Sequence, residues 1–274
     1  MRPNILKQII SYIGLSILAI IGFVPIFLGG LTAFKPKALW VTSPPVWIFT
    51  PTLENFRFML FDEGRIVNLR NSVIISVSAV SIALIVGIPA AYAFARFRFR
   101  GSKGLMSWLI SLRMIPPVVI AIPFYIFVYQ VGLRNTHIGL ILAYMSFLIP
   151  LTIWIMRGYF VDIPSAMEES AMVDGLSRLG ALRRVVFPVV LPGILATGLL
   201  VFIFAWSEYL LAVMLSSRET STLPVAAATY VGLAEVAWGQ VFAINLIIML
   251  PIIVLALILQ RQLLRGLTFG LINS

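Results

Sequence analysis

The sequence predicts an all-α membrane protein that crosses the bilayer six times. Of its 274 residues, 61% are hydrophobic and only 11% are charged, and the mean hydropathy is +1.05. Soluble domains carry about 25% charged residues, so lipid is the predicted solvent for most of this chain. Helices are preferred over strands because a helix satisfies its own backbone hydrogen bonds in lipid, and the alternation typical of transmembrane strands is absent.

Six apolar stretches reach the length of about 20 residues that a helix needs to cross a hydrocarbon core of about 30 Å. The predicted spans are residues 9–34, 72–94, 105–131, 138–160, 185–215 and 241–259. Arg2 and Lys7 before the first span resemble the start of a signal peptide, but the apolar run is much longer than a signal requires. We therefore predict that this span is retained and that residues 1–274 form a single transmembrane domain.

Basic residues between the spans predict the orientation of the chain. One side holds Arg2, Lys7, Arg96, Arg98, Arg100, Lys103, Arg178, Arg183, Arg184, Arg261 and Arg265. The other side has basic residues mainly in one long loop, residues 35–71, followed only by Arg134 and Arg218. Because positively charged loops stay in the cytoplasm, both termini are predicted to be cytoplasmic. The net charge of +10 is assigned to this bias rather than to nucleic-acid binding, since the charges form no continuous basic face.

The long loop of residues 35–71 is predicted to lie outside the cell and to lack a continuous helix. It contains Pro36, Pro44, Pro45, Pro51, Trp40 and Trp47. Proline interrupts helices. The two tryptophans suit either anchoring at the membrane interface or contact with an external partner.

The composition also excludes several kinds of chemistry. Cysteine is absent, so disulfides and thiolate metal sites are excluded, and a single histidine, His137, argues against histidine metal sites and Ser-His catalysis. The sequence has no Gly-x-Ser-x-Gly elbow, no His-Glu-x-x-His helix and no Gly-x4-Gly-Lys-Ser/Thr phosphate loop. The chain is therefore not predicted to be an enzyme or to hydrolyse ATP by itself.

Residues 165–184 form a polar segment between the fourth and fifth spans. Ser165 and Glu168 have the spacing of a capping box that would start a short helix. Gly175 is a natural helix stop, and Ser177 can cap a second short helix. The segment is thus predicted to be two stiff helices that meet at Gly175. An amphipathic helix lying on the lipid surface is the alternative that composition alone leaves open.

The spacing within this segment resembles a known motif. Glu169 stands six residues before Gly175, and Gly175 stands thirteen residues before Pro188. This resembles the motif of binding-protein-dependent ABC importer permeases of the carbohydrate type, in which Ala is common at the position of Ser170 and Phe at that of Leu182. Residues 114–116, 132–136 and 206–209 also resemble sugar-permease sequence in the same order. We refer to residues 165–184 as the coupling segment.

The resemblance implies an ABC type I importer permease fold and a transmembrane subunit that moves a sugar, oligosaccharide or sugar alcohol into the cytoplasm by alternating access. It implies that the coupling segment docks an ATPase through Glu169, Ala171, Asp174, Gly175, Leu182, Arg183 and Arg184. The implied partners are a second permease subunit, which the family commonly supplies as a different chain, two ATP-binding subunits, and an extracytoplasmic solute-binding protein. The implied location is the inner membrane of a bacterium or archaeon. No cofactor is expected in this chain, since ATP and Mg²⁺ would bind to the partner ATPase.

Several polar and aromatic residues within the predicted spans are candidates for the substrate pathway. Glu208 would either face the pathway or pair with another helix, and Trp206 and Tyr209 beside it suit sugar recognition. Arg113 would pair with Glu208, bind the partner permease or extend to the interface. Asn245 suits helix packing better than ligand binding. Pro116, Pro117 and Pro123 are predicted to break or kink the third span. Backbone carbonyls that a break leaves unpaired are tolerated where they line a cavity.

Two other functions remain open from the residues. An ABC importer for a different solute, such as an amino acid or an oxyanion, would share the coupling segment. A secondary transporter driven by an ion gradient would need buried ion-coupling groups and would have no use for such a segment.

Overall fold

The computed structural model of the chain describes residues 5–112, 114–232 and 236–269. Its described residues are helical apart from loops, turns and one isolated β-bridge between Val231 and Val236. This confirms the predicted all-α class. Two compact units are present. One comprises Met1–Ile66 with Ala226–Ile247, and the other Val67–Val225 with Ile248–Ser274.

The first unit contains the first span and the long loop. Helix α1 covers Ile5–Ala33, close to the predicted residues 9–34. The loop then holds a 3₁₀ turn at Lys37–Leu39, the short helix α2 at Glu54–Arg57 and a π turn at Phe58–Asp62. No long helix forms between Lys35 and Arg65, as the four prolines predict, but α3 begins at Ile66, six residues before the predicted second span.

The coupling segment belongs to the second unit. The remaining helices of the chain, in order, are α3 (Ile66–Arg96), α4 (Ser102–Ser111), α5 (Pro117–Gln130), α6 (His137–Asp162), α7 (Ser165–Val173), α8 (Arg178–Ala181), α9 (Phe187–Trp206), α10 (Leu210–Leu215), α11 (Leu223–Ala228) and α12 (Trp238–Phe269). The described residues hold five helical stretches long and apolar enough to cross a membrane: Gln8–Ala33, Ile66–Arg96, His137–Asp162, Arg178–Trp206 and Trp238–Gln262. The chain is thus a multi-pass membrane protein.

The predicted third span, residues 105–131, is not a single helix. It is divided into α4 and α5, which at 10 and 14 residues are about 15 and 21 Å long. The division falls where Pro116 caps and Pro117 starts α5, since proline cannot continue a helix from the preceding turn. Pro123 lies inside α5 without ending it.

The predicted fifth span, residues 185–215, differs from the structure at its start and is interrupted within its second half. Helix α9 ends at Trp206, and α10 begins only at Leu210. At its start, α8 runs through a π turn at Leu182–Val186 directly into α9. The second short helix of the coupling segment is therefore an extension of the membrane-crossing helix. A wider turn at this point is expected because Pro188 has no N–H for the carbonyl four residues before it.

Two hydrophobic clusters hold the second unit together. In the first, Tyr144, Leu148 and Leu151 of α6 pack with Val201 and Ala205 of α9. The second cluster joins α3, α6 and the start of α9 through Tyr92, Phe160, Val186 and Val190. These clusters position the break after Trp206 and the coupling segment, respectively.

Candidate functional site

The coupling segment makes a tight turn at Gly175. The Leu176 N–H donates to the Ala171 carbonyl, and the Gly175 N–H donates to the Met172 carbonyl, both at 3.1 Å. This pair of bonds is the Schellman motif, which requires a left-handed residue after the helix. Gly175 has φ +90°, a region that glycine enters without a Cβ penalty. The predicted helix stop at Gly175 is therefore confirmed.

One of the two predicted caps is present. Ser177 precedes α8, and its Oγ accepts a hydrogen bond from the Gly180 N–H at 3.2 Å. The capping box of Ser165 and Glu168 is not formed, because Pro164 is the N-cap residue of α7 and no side chain caps this helix. Glu168 points inward instead, toward a buried arginine.

Glu168 joins the coupling segment to the end of α3. Its carboxylate accepts hydrogen bonds from Arg96 Nε at 2.5 Å and from the Tyr92 hydroxyl at 2.7 Å. Arg96 also donates to the Ile163 carbonyl at 2.8 Å. The Arg96 and Glu168 side chains are only 11% and 7% exposed. A buried charge is tolerated only when it is paired and hydrogen-bonded, so this cluster holds α7 in a fixed position on α3.

A second connection joins α8 to the residues that follow α3. The Arg178 guanidinium lies over the Phe97 ring, 5.0 Å from its centroid, within the range of a cation–π contact. Since α8 also continues into α9, both short helices of the coupling segment are attached to membrane-crossing helices. The coupling segment is thereby attached both to the end of α3 and to α9.

The residues that the resemblance assigns to ATPase docking fall into two groups. Glu169, Asp174, Gly175, Arg183 and Arg184 are exposed. Ala171 is buried and Leu182 is half-buried, so these two pack within the segment rather than present themselves to a partner. Three of the exposed group, Gly175, Arg183 and Arg184, line an open cavity of about 300 Å³ together with Leu176, Ser177, Leu179 and Gly180.

Two residues of this surface were not singled out from the sequence as functional. Val173 is 87% exposed and Leu179 is 56% exposed, although both are apolar. Singly exposed apolar residues are common on protein surfaces, but these two lie on the segment that the resemblance assigns to ATPase docking. The signal in the sequence is an apolar residue next to Asp174 and Gly175, where a solvated loop would carry a polar one.

A second candidate site lies at the break between α9 and α10. A cavity of about 280 Å³ is lined by Leu112, Ile115, Pro117, Ile120, Ser146, Phe147, Leu151, Phe204, Glu208 and Leu211. Among these described residues only Glu208 and Ser146 carry polar side chains. Glu208 Oε1 accepts from the Leu211 N–H at 2.9 Å, and this bond fixes its carboxylate at the start of α10. The broken helix thus brings one carboxylate to a largely apolar cavity.

The other predicted pathway residues are not brought into this cavity. Trp206 is 3% exposed and donates through Nε1 to the Ile248 carbonyl at 2.8 Å, so it packs against α12. Tyr209 is exposed beside Glu208 but does not line the cavity. Asn245 donates to the Val241 carbonyl of its own helix at 2.7 Å. Arg113 lies outside the described residues.

The fold and the coupling segment define a membrane component of a transport system. Residues 83–269 match the family described as "Binding-protein-dependent transport system inner membrane component". The match covers more than half of the chain, including α6 to α12. The chain therefore belongs to this family.

Curated relatives support the same membership. The diacetylchitobiose uptake system permease protein DasC of Streptomyces coelicolor is 34% identical over 274 residues, 99% of this chain and 96% of the relative. The trehalose/maltose transport system permease protein MalG of Thermococcus litoralis is 32% identical over 278 residues, 100% of both chains.

A solved structure shares the fold. It is a bacterial ABC transporter involved in the import of the acidic polysaccharide alginate, with a TM-score of 0.74, 22% sequence identity, and coverage of 95% of this chain and 98% of that chain. The likeness at this identity concerns the fold alone. It confirms the predicted ABC importer permease fold.

Proposed function

We propose that this chain is the transmembrane subunit of an ABC importer that carries a carbohydrate or polyol into the cytoplasm. The observation that carries the proposal is the exposed surface of the coupling segment, formed by Val173, Leu179, Asp174 and Arg183 around the turn at Gly175. The relatives at 34% and 32% identity are named for diacetylchitobiose and for trehalose and maltose, and these names support a carbohydrate rather than an amino acid or an oxyanion.

The coupling segment is proposed to receive a cytoplasmic ATPase subunit. Val173 and Leu179 would be covered by apolar residues of the ATPase. Arg183 and Arg184 at the cavity beside Gly175 would pair with its acidic groups. Glu169 and Asp174 add polar contacts on the same segment. The chain itself would bind neither ATP nor Mg²⁺, and ATP hydrolysis would take place in two partner subunits.

The proposed mechanism follows from how the segment is attached. Binding and hydrolysis of ATP would move the ATPase subunits, and the rigid turn would pass that motion to α3 through Glu168 and to α9 through α8. Such a rigid-body transition opens one side of the membrane and closes the other. A second permease subunit would complete the pathway, and a solute-binding protein would deliver the solute outside the membrane, with both termini of this chain in the cytoplasm.

Glu208 is proposed to contact the solute within the membrane. Its carboxylate is one of two polar side chains in the described lining of the cavity at the α9–α10 break. A carboxylate accepts hydrogen bonds from sugar hydroxyls, and the apolar walls strengthen these bonds by excluding water. Neither Trp206 nor Asn245 takes part in this contact.

The reconstituted transporter tests this proposal. Proteoliposomes that contain this chain, the second permease, the ATPase and the binding protein are expected to accumulate labelled trehalose, maltose or diacetylchitobiose only when ATP is present. Uptake that persists without the ATPase and collapses when the proton gradient is removed would instead identify this chain as a secondary transporter.

Replacing Glu208 with Gln is expected to weaken uptake about tenfold or more, because hydrogen bonds to a charged group contribute about 1.5–3 kcal/mol. The amide oxygen of Gln still accepts from the Leu211 N–H, so α10 and the assembled complex should be unaffected. Tyr209→Phe is the control, because Tyr209 is exposed next to Glu208 and does not line the cavity. Normal uptake kinetics in Glu208→Gln would show that Glu208 does not contact the solute.

A further inference from the structure

The first unit contains a cavity that the transport mechanism does not use. Its volume is about 380 Å³, within the range of about 300–1,000 Å³ that is usual for small-molecule sites. The lining combines aromatic with charged and amide side chains, among them Lys37, Trp40, Glu54, Glu63, Tyr230 and Gln240. Four of these six belong to the loop of residues 35–71.

The first aromatic wall, Trp40, is held in place by a buried network. Asn55 is 4% exposed, and its Nδ2 donates to the Ala33 and Lys35 carbonyls at 2.8 Å each. The Lys35 carbonyl also accepts from Trp40 Nε1 at 3.0 Å. The indole lies against Gly239, where a Cβ atom would overlap it. Trp40 is therefore ordered without a ligand, which lowers the entropy cost of binding one.

The second aromatic wall, Tyr230, is fixed in a similar way. It is 7% exposed, and its hydroxyl donates to Glu63 Oε2 at 2.5 Å. The Arg65 guanidinium lies 5.5 Å from the ring centroid and donates to Thr229 Oγ1 at 3.0 Å. Burial and then the bond to Glu63 raise the pKa of Tyr230, so the phenol stays protonated and keeps the Glu63 carboxylate in position.

Hydrogen-bonding capacity remains at the cavity. Gln240 Oε1 is buried, and no group among the described residues donates a hydrogen bond to it. A buried acceptor without a partner is unfavourable, and a ligand hydroxyl that donates to it removes that cost. Lys37 and Glu54 are exposed at the same cavity and offer a donor and an acceptor. The cavity thus presents fixed aromatic surfaces together with both kinds of hydrogen-bonding group.

We propose that this cavity binds one carbohydrate unit on the extracytoplasmic side, before the solute enters the membrane. A sugar ring has an apolar face that suits Trp40 and hydroxyls that suit Gln240, Glu54 and Lys37. The lining has both carboxylates and an ammonium group, so it does not favour a ligand that carries a net positive or a net negative charge. The choice of carbohydrate rests on the proposed function, whereas the cavity is defined by its own residues.

Direct binding to the purified full transporter, without its binding protein, tests this inference. The probes are labelled maltose, trehalose and diacetylchitobiose, measured by equilibrium dialysis in the Glu208→Gln background so that the membrane cavity contributes little. Trp40→Ala is expected to weaken binding roughly 3- to 10-fold, as the loss of an aromatic contact does. Gln240→Leu keeps the side-chain volume and is expected to weaken binding as well, even if Trp40→Ala fails to fold.

Trp47→Ala is the matched control, since Trp47 belongs to the same loop, is 61% exposed and does not line the cavity. Sugar binding that is equal in Trp40→Ala, Gln240→Leu and Trp47→Ala would overturn the inference. So would variants that bind sugar normally but bind the solute-binding protein more weakly, because the cavity would then be a protein contact. If the unaltered transporter imports none of these sugars but another class of solute, the proposed function fails together with the carbohydrate occupant.

Discussion

Replacing Glu168 with Ala is expected to destabilise the chain by about 3–5 kcal/mol, the cost of leaving one partner of a buried ion pair alone. The change leaves the Arg96 guanidinium buried with only the Ile163 carbonyl as acceptor, and it removes the acceptor of the Tyr92 hydroxyl. The measurement is thermal unfolding of the purified transporter in detergent, together with the yield of assembled complex.

The neighbouring carboxylate provides the matched control. Glu169 is exposed, and removal of an exposed side chain changes stability by no more than about 0.5 kcal/mol. Glu169→Ala should therefore fold normally and lose ATPase binding instead. Equal unfolding temperatures for Glu168→Ala and Glu169→Ala would contradict the structural role of Glu168.

A triple variant tests whether the cluster of Tyr92, Arg96 and Glu168 couples ATP hydrolysis to transport or only stabilises the chain. Tyr92→Phe, Arg96→Met and Glu168→Leu together replace the polar cluster with apolar side chains, which is often neutral for stability. We expect this variant to recover much of the lost stability and to hydrolyse ATP while importing less solute for each ATP. If uptake and ATP hydrolysis recover in the same proportion, the cluster serves stability alone.

Replacing Gly175 with Ala is expected to reduce uptake about tenfold, which corresponds to about 1.4 kcal/mol. A Cβ atom at φ +90° strains the backbone by about 1–2 kcal/mol. It also adds bulk to the exposed turn that the ATPase is proposed to approach. Uptake and the affinity of the ATPase for the permease pair are the two quantities to measure.

Gly101 supplies the control for this variant. Its φ is +87°, and neither glycine has an atom within 4 Å of an added Cβ. Gly101→Ala should therefore strain the backbone by the same amount outside the coupling segment. We expect similar losses of stability in both variants but weakened ATPase binding only in Gly175→Ala. Equal ATPase affinities would exclude a close approach at Gly175.

Much of the fold could be predicted from the sequence because membrane helices are set by length and hydropathy. The helices α1, α3 and α6 lie where the apolar runs predict them. Hydropathy alone does not register the interruption of the third span, but Pro116 and Pro117 predict it. The third proline, Pro123, lies inside α5 without ending it.

The break after Trp206 could not be predicted, because residues 207–209 contain neither proline nor glycine. There the Glu208 side chain accepts from the Leu211 N–H, a local bond that competes with the helix. Competing hydrogen bonds also explain why Glu168 does not form the predicted cap. Sequence spacing favoured a cap with Ser165, but the buried partners Tyr92 and Arg96 lie more than 70 positions away, and only the fold reveals them.

The sequence also could not predict which residues of the coupling segment are buried and which are exposed. The turn at Gly175 and the cap at Ser177 follow from local chemistry and are confirmed. Which residues face outward depends on packing, and this packing buries Ala171 while it exposes Val173. The roles of the exposed residues in ATPase docking remain proposals that a direct contact measurement decides.

A cross-linking experiment at Val173 tests whether the coupling segment docks the ATPase subunit. The chain has no cysteine, so Val173→Cys gives a single thiol that can carry a photo-activated cross-linker. Ile48→Cys, at a position 93% exposed in the loop of residues 35–71, is the control. In the assembled transporter, Cys at 173 is predicted to cross-link to the ATPase subunit, and Cys at 48 is predicted to give no such product. A transporter that retains its ATPase but gives no ATPase adduct from position 173 would show that the ATPase does not dock at this surface.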